Sequence, residues 1–486
     1  MKTLRTVFAA LALTAGAGFG AFAQIPLKVL EGGEGTSGRK TIDVICQTDP
    51  EATATINGKA AHVYKTGAFG LPVQLCEGEN KVKIEVKLGG ESVAKTLTVN
   101  YVPGGQRRPE ARPAPVEKAL ELYGMTCDDA AIAYGNGSDR LGGSKMTYLV
   151  DGIPVKVVAE YGSQYKLQLS ANRFAYVAKG CVKGCAEAVR GPMNSENIRI
   201  VNKGDFDVVT LPLPQRTTYY SWMELDPTVL YVDVFNVMNN SNWITHMRDL
   251  EMIDYVDCQQ VESDVLRLAI RLKNTHSWGY HIYYDRNVLT IMVKHAPKPA
   301  LAGMVIGLDA GHGGPESNGA ISVTGAKEKD LNLDIVYRLK ALLEERGACV
   351  VLTRTKDEGI SMADRRKILW DKRVDLLVSI HNNASGSAYK PMGTSCYYKY
   401  IQNRELAACI LDRILEFDDV PNMGLVGNFN FALGTPTEYP AMLVEGLFVS
   451  SMPDEEKLLD PDFRQQLAVK VLTGLEDYLG KVQAKP

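Results

Sequence analysis

The sequence predicts a multidomain protein, with all-β modules in its N-terminal part and a C-terminal α/β domain that has a mostly parallel sheet. Short alternating apolar segments with turn residues between them recur up to residue 296. After "APKPALAG" the pattern changes, and strand-like segments alternate with helix-like ones. A chain of 486 residues also exceeds the size of one hydrophobic core, so several domains are expected.

The N-terminus has the pattern of a secretory signal peptide. Lys2 and Arg5 precede an apolar stretch, and "AFA" at 21–23 is a small-residue cleavage site. We therefore expect residues 1–23 to be removed; the alternative, an N-terminal membrane anchor, is less favoured. No later stretch is long and apolar enough to span a bilayer. The sequence thus predicts an exported protein, in the periplasm, with no membrane span after cleavage.

The net charge bears on the classes of partner, and the cysteine content bears on disulfides and metal sites. The formal net charge is −3, so no general attraction to nucleic acid or to anionic lipid is expected. The nine cysteines are odd in number and irregularly spaced. We expect mostly buried thiols, with Cys46 and Cys76 as the first candidates for a disulfide. Cys181 and Cys185 have no second Cys or His pair nearby, so a zinc site is not expected there.

The first module, residues 35–102, alternates apolar and polar residues in short segments such as "NKVKIEVKLG". Turn signals, Asn57-Gly58 among them, separate these segments, which is typical of a small β-sandwich. The stretch from "TINGKAAHVYKTG" to "NKVKIEV" resembles the Ig-like modules of exported bacterial proteins. "PGGQRRPEARPAP" (103–115) follows without apolar periodicity and is predicted to be a linker.

Two further β-modules are predicted before the α/β domain. Residues 116–190 contain short strands with tight turns and resemble a bacterial SH3-like barrel. Residues 195–297 alternate again, with a hairpin expected at Arg286-Asn287, and resemble the AMIN-type modules that hold cell-wall amidases on peptidoglycan. Five aromatic residues of this segment could stack on sugars but are more often strand core: Tyr219, Tyr220, Trp222, Trp278 and Tyr280.

The C-terminal domain, residues 303–482, begins with the apolar strand "MVIGLDA". The next segment, "KDLNLDIVYRLKALLEERG", has apolar residues at helical spacing and a glycine stop. Further strands are predicted at "ACVVLTRT", "VDLLVSIHNN" and "PAMLVEGLF", with helices between them. In such sheets ligands bind at the carboxyl ends of the strands.

Four chemically active residues are expected at that edge of the sheet. His312, His381 and Glu445 each end a predicted strand, and Glu328 opens the first helix. Each alone is more often a packing or capping residue. Together, two imidazoles and a carboxylate suit Zn²⁺, which in catalytic sites takes three protein ligands and a water. A further carboxylate is then needed to transfer protons, and Glu445 is placed for it.

Four motifs give this set a specific context. "LDAGHGG", "GAKEKDLNLDI", "VSIHNNA" and "PAMLVEGLF" closely resemble the zinc-dependent N-acetylmuramoyl-L-alanine amidases of the Amidase_3 type. The resemblance implies His312, Glu328 and His381 as zinc ligands and Glu445 as the catalytic carboxylate. It also implies peptidoglycan as the partner and hydrolysis of the bond between N-acetylmuramic acid and L-alanine, in cell-wall remodelling or daughter-cell separation.

The chain departs from the family pattern in places, and alternatives remain. Ala310 stands where the family usually has Pro, and Met423 where many members have an Arg that could contact substrate. Asn382 and Asn383 are candidate hydrogen-bond donors to substrate. The rival functions are a zinc peptidase or carboxypeptidase acting on the stem peptide, and a non-catalytic wall-binding protein. The sequence leaves open whether a protein activator is needed.

Overall fold

The computed structural model describes residues 25–103, 116–137, 143–184, 188–298 and 300–484. The predicted signal peptide (1–23) and all but one residue of the predicted linker (103–115) lie outside these described residues. The chain divides into two compact units, residues 1–105 and 106–486, which are taken separately below. Among the described residues, no helix combines the length and apolarity needed to cross a membrane.

The described residues of the first unit form eight strands in two sheets. They are β1 (Lys28–Glu31), β2 (Gly35–Ser37), β3 (Thr41–Gln47), β4 (Thr53–Ile56), β5 (Lys59–Ala61), β6 (Ala68–Gln74), β7 (Gly78–Leu88) and β8 (Glu91–Tyr101). One sheet has the order β1-β3-β6 and the other β2-β8-β7-β4-β5. Alternation along β7 buries Val82, Ile84 and Val86 while its lysines face solvent. The period-2 pattern therefore forms the core of this unit.

The predicted disulfide of the first unit is wrong. Cys46 is buried in β3, whereas Cys76 is exposed after β6, and both thiols are free. A strand-like sequence around each cysteine does not predict a disulfide, because it does not determine whether the two side chains lie close together. Burial raises the pKa of the Cys46 thiol to about 12.

The second unit begins with a seven-stranded antiparallel sheet. Its strands are β9 (Lys118–Thr126), β10 (Ala130–Ala133), β11 (Lys145–Leu149), β12 (Pro154–Tyr161), β13 (Gln164–Gln168), β14 (Phe174–Ala178) and β15 (Val182–Gly184). The strand order is β11-β10-β14-β13-β12-β9-β15. A single 3₁₀ turn, Lys179–Cys181, joins the last two strands, so the described part of this segment is strand-rich as predicted.

The strands of the next segment are β16 (Met193–Asn194), β17 (Ile198–Lys203), β18 (Phe206–Pro212), β19 (Tyr219–Glu224), β20 (Val229–Phe235), β21 (Val237–Met238), β22 (Ile244–His246), β23 (Ile253–Glu262), β24 (Val265–Leu272), β25 (Tyr280–Asp285) and β26 (Val288–Lys294). They form a four-stranded sheet (β19-β20-β24-β23), a five-stranded sheet (β22-β17-β18-β26-β25) and a short pair (β16-β21). The predicted hairpin at Arg286-Asn287 is confirmed, because Asp285 pairs with Val288 across it. One hydrophobic cluster extends from Ile132 of the preceding sheet to Val293, so the two segments share a core.

The C-terminal segment is a six-stranded sheet flanked by helices. Its elements are β27 (Val305–Ala310), α1 (Glu328–Glu345), β28 (Cys349–Leu352), α2 (Met362–Asp371), β29 (Leu376–Asn383), β30 (Thr394–Tyr398), α3 (Arg404–Ile414), β31 (Asn422–Val426), β32 (Ala441–Phe448), α4 (Met452–Leu459) and α5 (Pro461–Ala484). The strand order is β28-β27-β29-β32-β30-β31. Every pairing is parallel except that of β30 with β32. Apolar spacing places Leu331, Ile335 and Leu339 on the buried face of α1.

Residues at the start of β25 and directly before it connect the β-rich segment to the α/β segment. Trp278 is 1% exposed and belongs to the hydrophobic cluster of the α/β sheet. The Tyr280 N–H donates to the Thr437 carbonyl at 2.7 Å, and the Thr437 hydroxyl donates back to the Tyr280 carbonyl at 2.8 Å. Gly279 has φ +110°, and a Cβ there would lie 2.2 Å from the Glu438 carbonyl oxygen. The two segments are therefore packed against each other and not loosely tethered.

Candidate metal centre

The elements of the parallel sheet place the four predicted residues at one edge. His312 follows the end of β27, His381 lies near the carboxyl end of β29, and Glu445 lies in β32 directly beside His381 in the strand register. Glu328 is the first residue of α1, which the loop after His312 brings back to the same edge. The carboxyl ends of the strands thus carry the site, as expected for a sheet of this kind.

Three of the four residues form a compact cluster of potential metal ligands. One ligand atom from each of His312, Glu328 and His381 lies within 4.8 Å of the others. Glu328 Oε2 is 3.2 Å from His312 Nε2, and Glu328 Oε1 is 3.1 Å from His381 Nδ1. Within the described part of the chain, this is the one group of three or more His, Cys, Asp or Glu residues with such geometry.

The Glu328 carboxylate is held in place by bonds from several elements. It accepts the Ala320 N–H at Oε2 (2.8 Å), and the Asn332 amide (3.1 Å) and Asn382 N–H (3.2 Å) at Oε1. Burial opposes its charge, but the hydrogen bonds with His312 and His381 outweigh burial and hold the pKa of Glu328 well below its usual range. The carboxylate is therefore ionised and oriented towards both imidazoles.

The two histidines are also fixed from behind. His312 Nδ1 is 3.1 Å from the Ser317 hydroxyl, which leaves Nε2 to face Glu328. A Cβ on Gly311 would lie 2.2 Å from His381 Cε1, so only glycine lets the chain pass beside that ring. Burial works to lower the pKa of His381, but the bond with Glu328 and the charge of Glu445 outweigh it and raise that pKa above its usual value.

Two buried arginines hold the backbone of the loop that carries His312. Arg354 donates to the carbonyls of Ala310 (2.8 Å) and Gly311 (3.1 Å). Arg365 donates to the His312 carbonyl at 2.6 Å. No role was predicted for either arginine, although both lie in "TRTKDEGISMADRRKI". The sequence feature that could have indicated this role is a pair of basic residues near predicted buried strands, because a buried charge without a partner is costly.

The residues around Glu445 come from β30, a strand that the sequence did not reveal. Ser395 lies opposite Glu445 in the antiparallel register, and the Thr394 hydroxyl donates to the Glu445 carbonyl at 2.9 Å. Neighbouring strands are about 4.8 Å apart, so the side chains of Glu445 and His381 lie side by side on the sheet. Glu445 itself is half-buried. A carboxylate therefore lies next to the cluster without belonging to it.

Of the two candidate donors to substrate, Asn382 lies in the core. Its side chain is 1% exposed, donates to Asn332 Oδ1 at 2.8 Å and accepts the Leu447 N–H at 3.1 Å. Asn382 therefore belongs to the support of Glu328. Asn383 is half-buried and accepts the Ala384 N–H at 2.8 Å.

The donor set of the cluster fits a zinc ion. Two imidazole nitrogens and one carboxylate are ligands that zinc accepts, and three protein ligands leave a position open for water or substrate. The burial of Glu328 and the second hydrogen bond of His312 are features of ligands held ready for a metal. The Glu328 carboxylate and the two imidazoles can bind a divalent cation. The Glu445 carboxylate beside them can transfer protons at the same edge of the sheet.

Comparison with known proteins identifies the class of this domain. Residues 306–477 match the family described as N-acetylmuramoyl-L-alanine amidase. The chain is 31% identical over 231 residues to N-acetylmuramoyl-L-alanine amidase AmiC of Escherichia coli O6:H1, covering 37% of this chain and 55% of that protein. It is 31% identical over 182 residues to YqiI of Bacillus subtilis (37% and 86% covered). With the probable cell wall amidase LytH of Staphylococcus aureus it shares 35% over 214 residues (42% and 68%).

Solved structures of amidases also resemble this domain. N-acetylmuramoyl-L-alanine amidase AmiC2 of Nostoc punctiforme has 30% identity and a TM-score of 0.35, covering 37% of this chain and 99% of that one. The N-acetylmuramoyl-L-alanine amidase of Clostridium difficile 630 has 31% identity and a TM-score of 0.35, with 37% and 97% covered. The chain spans only about half the length of the E. coli relative, 55%.

Proposed function

Since this chain belongs to the N-acetylmuramoyl-L-alanine amidase family, we propose that its C-terminal domain, residues 303–482, is a zinc-dependent peptidoglycan amidase. It hydrolyses the amide between the lactyl group of N-acetylmuramic acid and the L-alanine of the stem peptide. The observation that carries this proposal is the cluster of His312, Glu328 and His381 with Glu445 beside it at the carboxyl edge of the sheet.

In this proposal, His312, Glu328 and His381 hold the metal. When bound there, zinc would supply Lewis acidity for activation of the amide carbonyl and of water near neutral pH. The hydrogen bonds to Glu328 from Ala320 and Asn332 orient its carboxylate before the metal arrives. The protein thus provides a prearranged ligand set whose geometry does not have to be assembled during the reaction.

Glu445 performs the proton transfers. Its carboxylate accepts a proton from the attacking water and delivers it to the nitrogen of the leaving L-alanine, so the amide C–N bond breaks with a neutral amine as product. The half-buried position beside His381 supports this role, because a base must be close to the metal-facing atoms and still reachable by substrate. The strand pairing with β30 fixes its backbone.

The remaining parts of the chain supply the setting of the reaction. We propose export to the periplasm after removal of residues 1–23, and action in cell-wall remodelling or daughter-cell separation. The Ig-like, SH3-like and AMIN-like modules, with the boundaries 35–102, 116–190 and 195–297, are proposed to target or regulate the enzyme. Whether a protein activator is needed stays open.

The experiment that tests the function is digestion of purified peptidoglycan by the full mature chain, followed by mass analysis of the products. Intact stem peptides with a free N-terminal L-alanine, lost with a chelator and restored by zinc, are expected. Shortened stems still attached to sugar would make the protein a peptidase. Zinc binding without any product would leave a wall-binding protein, and the amidase assignment would fail.

A further inference from the structure

Two cavities meet where the β-rich and α/β segments of the second unit join. One has a volume of about 470 Å³ and the other about 800 Å³. They are lined in common by Tyr280, His281, Trp370, Asp371, Glu438 and Tyr439. We call the two cavities together the junction groove. Each cavity is within the range of small-molecule sites, and such sites favour the junctions between segments.

The junction groove lies at the edge of the sheet opposite the metal cluster. Glu438 and Tyr439 lie shortly before the start of β32, whose Glu445 lies towards its carboxyl end. Asp371 likewise precedes β29, which carries His381 near its carboxyl end. At about 3.3 Å per residue, these strands separate the groove from the cluster by roughly 15–20 Å. The groove is therefore a place distinct from the catalytic residues.

Aromatic rings form the centre of the groove. Trp370 of α2 is 48% exposed and lines both cavities, so it stands between them. Its ring centroid is 4.8 Å from that of His281, which in turn stacks on Tyr283 at 5.4 Å. The tyrosines Tyr148 and Tyr400 line the smaller cavity. An exposed tryptophan between two hollows offers a ring face to a ligand that extends into both.

Three pairs of charged or titratable side chains line the groove. Arg366 is paired with Asp129 at 3.0 Å, and Lys294 with Asp375 at 2.7 Å. His281 Nδ1 is 2.8 Å from Glu438 Oε1. A strongly anionic or cationic ligand would have to break these pairs, whereas a neutral ligand rich in hydroxyl and amide groups finds donors and acceptors along both walls.

The geometry points to a second saccharide-binding site, in which the junction groove holds a neutral, N-acetylated glycan strand over Trp370. This inference rests on the proposed function, because that function supplies the glycan polymer as the surrounding matrix. Two hollows on either side of one aromatic ring fit a linear chain of sugar rings better than a compact ligand. The site anchors one strand while the metal cluster acts on another, which raises the local concentration of substrate.

The test measures saccharide binding and catalysis separately. Binding of N-acetylglucosamine tetramer to the full mature chain is followed by calorimetry, and hydrolysis of a soluble muramoyl-peptide by product mass. Trp370→Ala is expected to weaken tetramer binding at least about tenfold, since an exposed tryptophan anchor is removed. Trp370→Phe, which keeps a ring, should lose less. Hydrolysis of the soluble substrate should stay at the wild-type rate in both variants.

Trp243→Ala is the matched control, because Trp243 is also an exposed tryptophan (62%), lies in the β-rich segment and lines neither cavity. Equal tetramer affinity in Trp370→Ala, Trp243→Ala and wild type, with unchanged thermal unfolding, overturns the groove. Absence of tetramer binding by the wild-type chain overturns it as well. Neither of these results depends on the hydrolysis assay, which tests the proposed function. Failed hydrolysis with intact tetramer binding would contradict the proposed function but not the saccharide site.

Discussion

The Arg365 guanidinium of α2 and the Asp309 carboxylate of β27 form a fully buried ion pair, with Nη1 and Oδ1 2.6 Å apart and both side chains 2% exposed. Hydroxyls of Ser379 and Thr353 donate to the same carboxylate at 2.6 Å each. Burial opposes the charge, but Arg365 and these bonds hold the pKa of Asp309 below its usual range. Because Arg365 also binds the His312 carbonyl, the pair connects the sheet interior to the metal cluster.

Breaking this ion pair should lower the stability of the domain. Arg365→Met leaves the Asp309 charge buried without its cation, so the free energy of unfolding should fall by about 3–5 kcal/mol in urea titrations. Lys367→Met is the control on the same helix, since Lys367 pairs with Asp371 in solvent and should change stability by less than about 1 kcal/mol. Equal stability of the two variants would contradict a structural role for the pair.

The metal ligands can be separated from other histidines by zinc content. His312→Ala and His381→Ala should each lose zinc and hydrolysis, because two protein ligands hold zinc far more weakly than three. His62→Ala, an exposed histidine of the first unit, should keep roughly one zinc per chain. Elemental analysis after dialysis gives the zinc content. Full zinc content in His381→Ala would remove that residue from the ligand set.

Glu445 should be needed for catalysis and not for metal binding. Glu445→Gln keeps the size of the side chain but cannot accept a proton, so the hydrolysis rate should fall by about 10²–10⁴. Zinc content and thermal unfolding should stay at wild-type values, because the cluster does not use this carboxylate. A near wild-type rate in Glu445→Gln would assign the proton transfers to another group.

A single methyl group beside His381 should disturb the metal site. In Gly311→Ala the new Cβ would lie 2.2 Å from His381 Cε1, so the ring must move and zinc affinity should fall at least about tenfold. Gly359→Ala is the matched control, because its Cβ would approach no atom closer than 3.8 Å. Competition with a chromogenic zinc chelator measures both affinities. Identical values would show that the ring is free to adapt.

Lys399 predicts a specific dependence of stability on pH. Burial lowers its pKa from 10.5 to about 8, although its ammonium donates to Asn428 and Asn430 at 2.7 Å each. Between about pH 8 and 10.5 the unfolded chain therefore binds more protons at this residue than the folded chain, and stability rises with pH. Other buried groups, Cys46 among them, titrate in the same range, so the prediction concerns the difference: the unfolding free energy of wild type relative to Lys399→Met should rise over this window. Parallel pH profiles would mean that Lys399 keeps an ordinary pKa.

The class of the C-terminal domain and its candidate residues could be anticipated because each depends on local pattern. Apolar runs ending in His312, His381 and Glu445 predict strand ends, and strand ends in such a sheet share one edge. β30 and β31 were missed, since short strands with Gly, Ser and Asn carry little apolar signal. The disulfide between Cys46 and Cys76 was also wrong, because pairing depends on distances that composition does not encode.

The sequence by itself determined which residue types lie at the ends of the strands, and with them the amidase family and the candidate ligands. Only the tertiary structure decided that Asn382 supports Glu328 from within the core, that Arg354 and Arg365 hold the His312 loop, and that Trp370 stands in a groove. The physical reason is how far apart in the sequence the interacting residues are. Periodicity and turns are set by neighbours along the chain, whereas these hydrogen bonds join residues that are more than forty positions apart in the sequence.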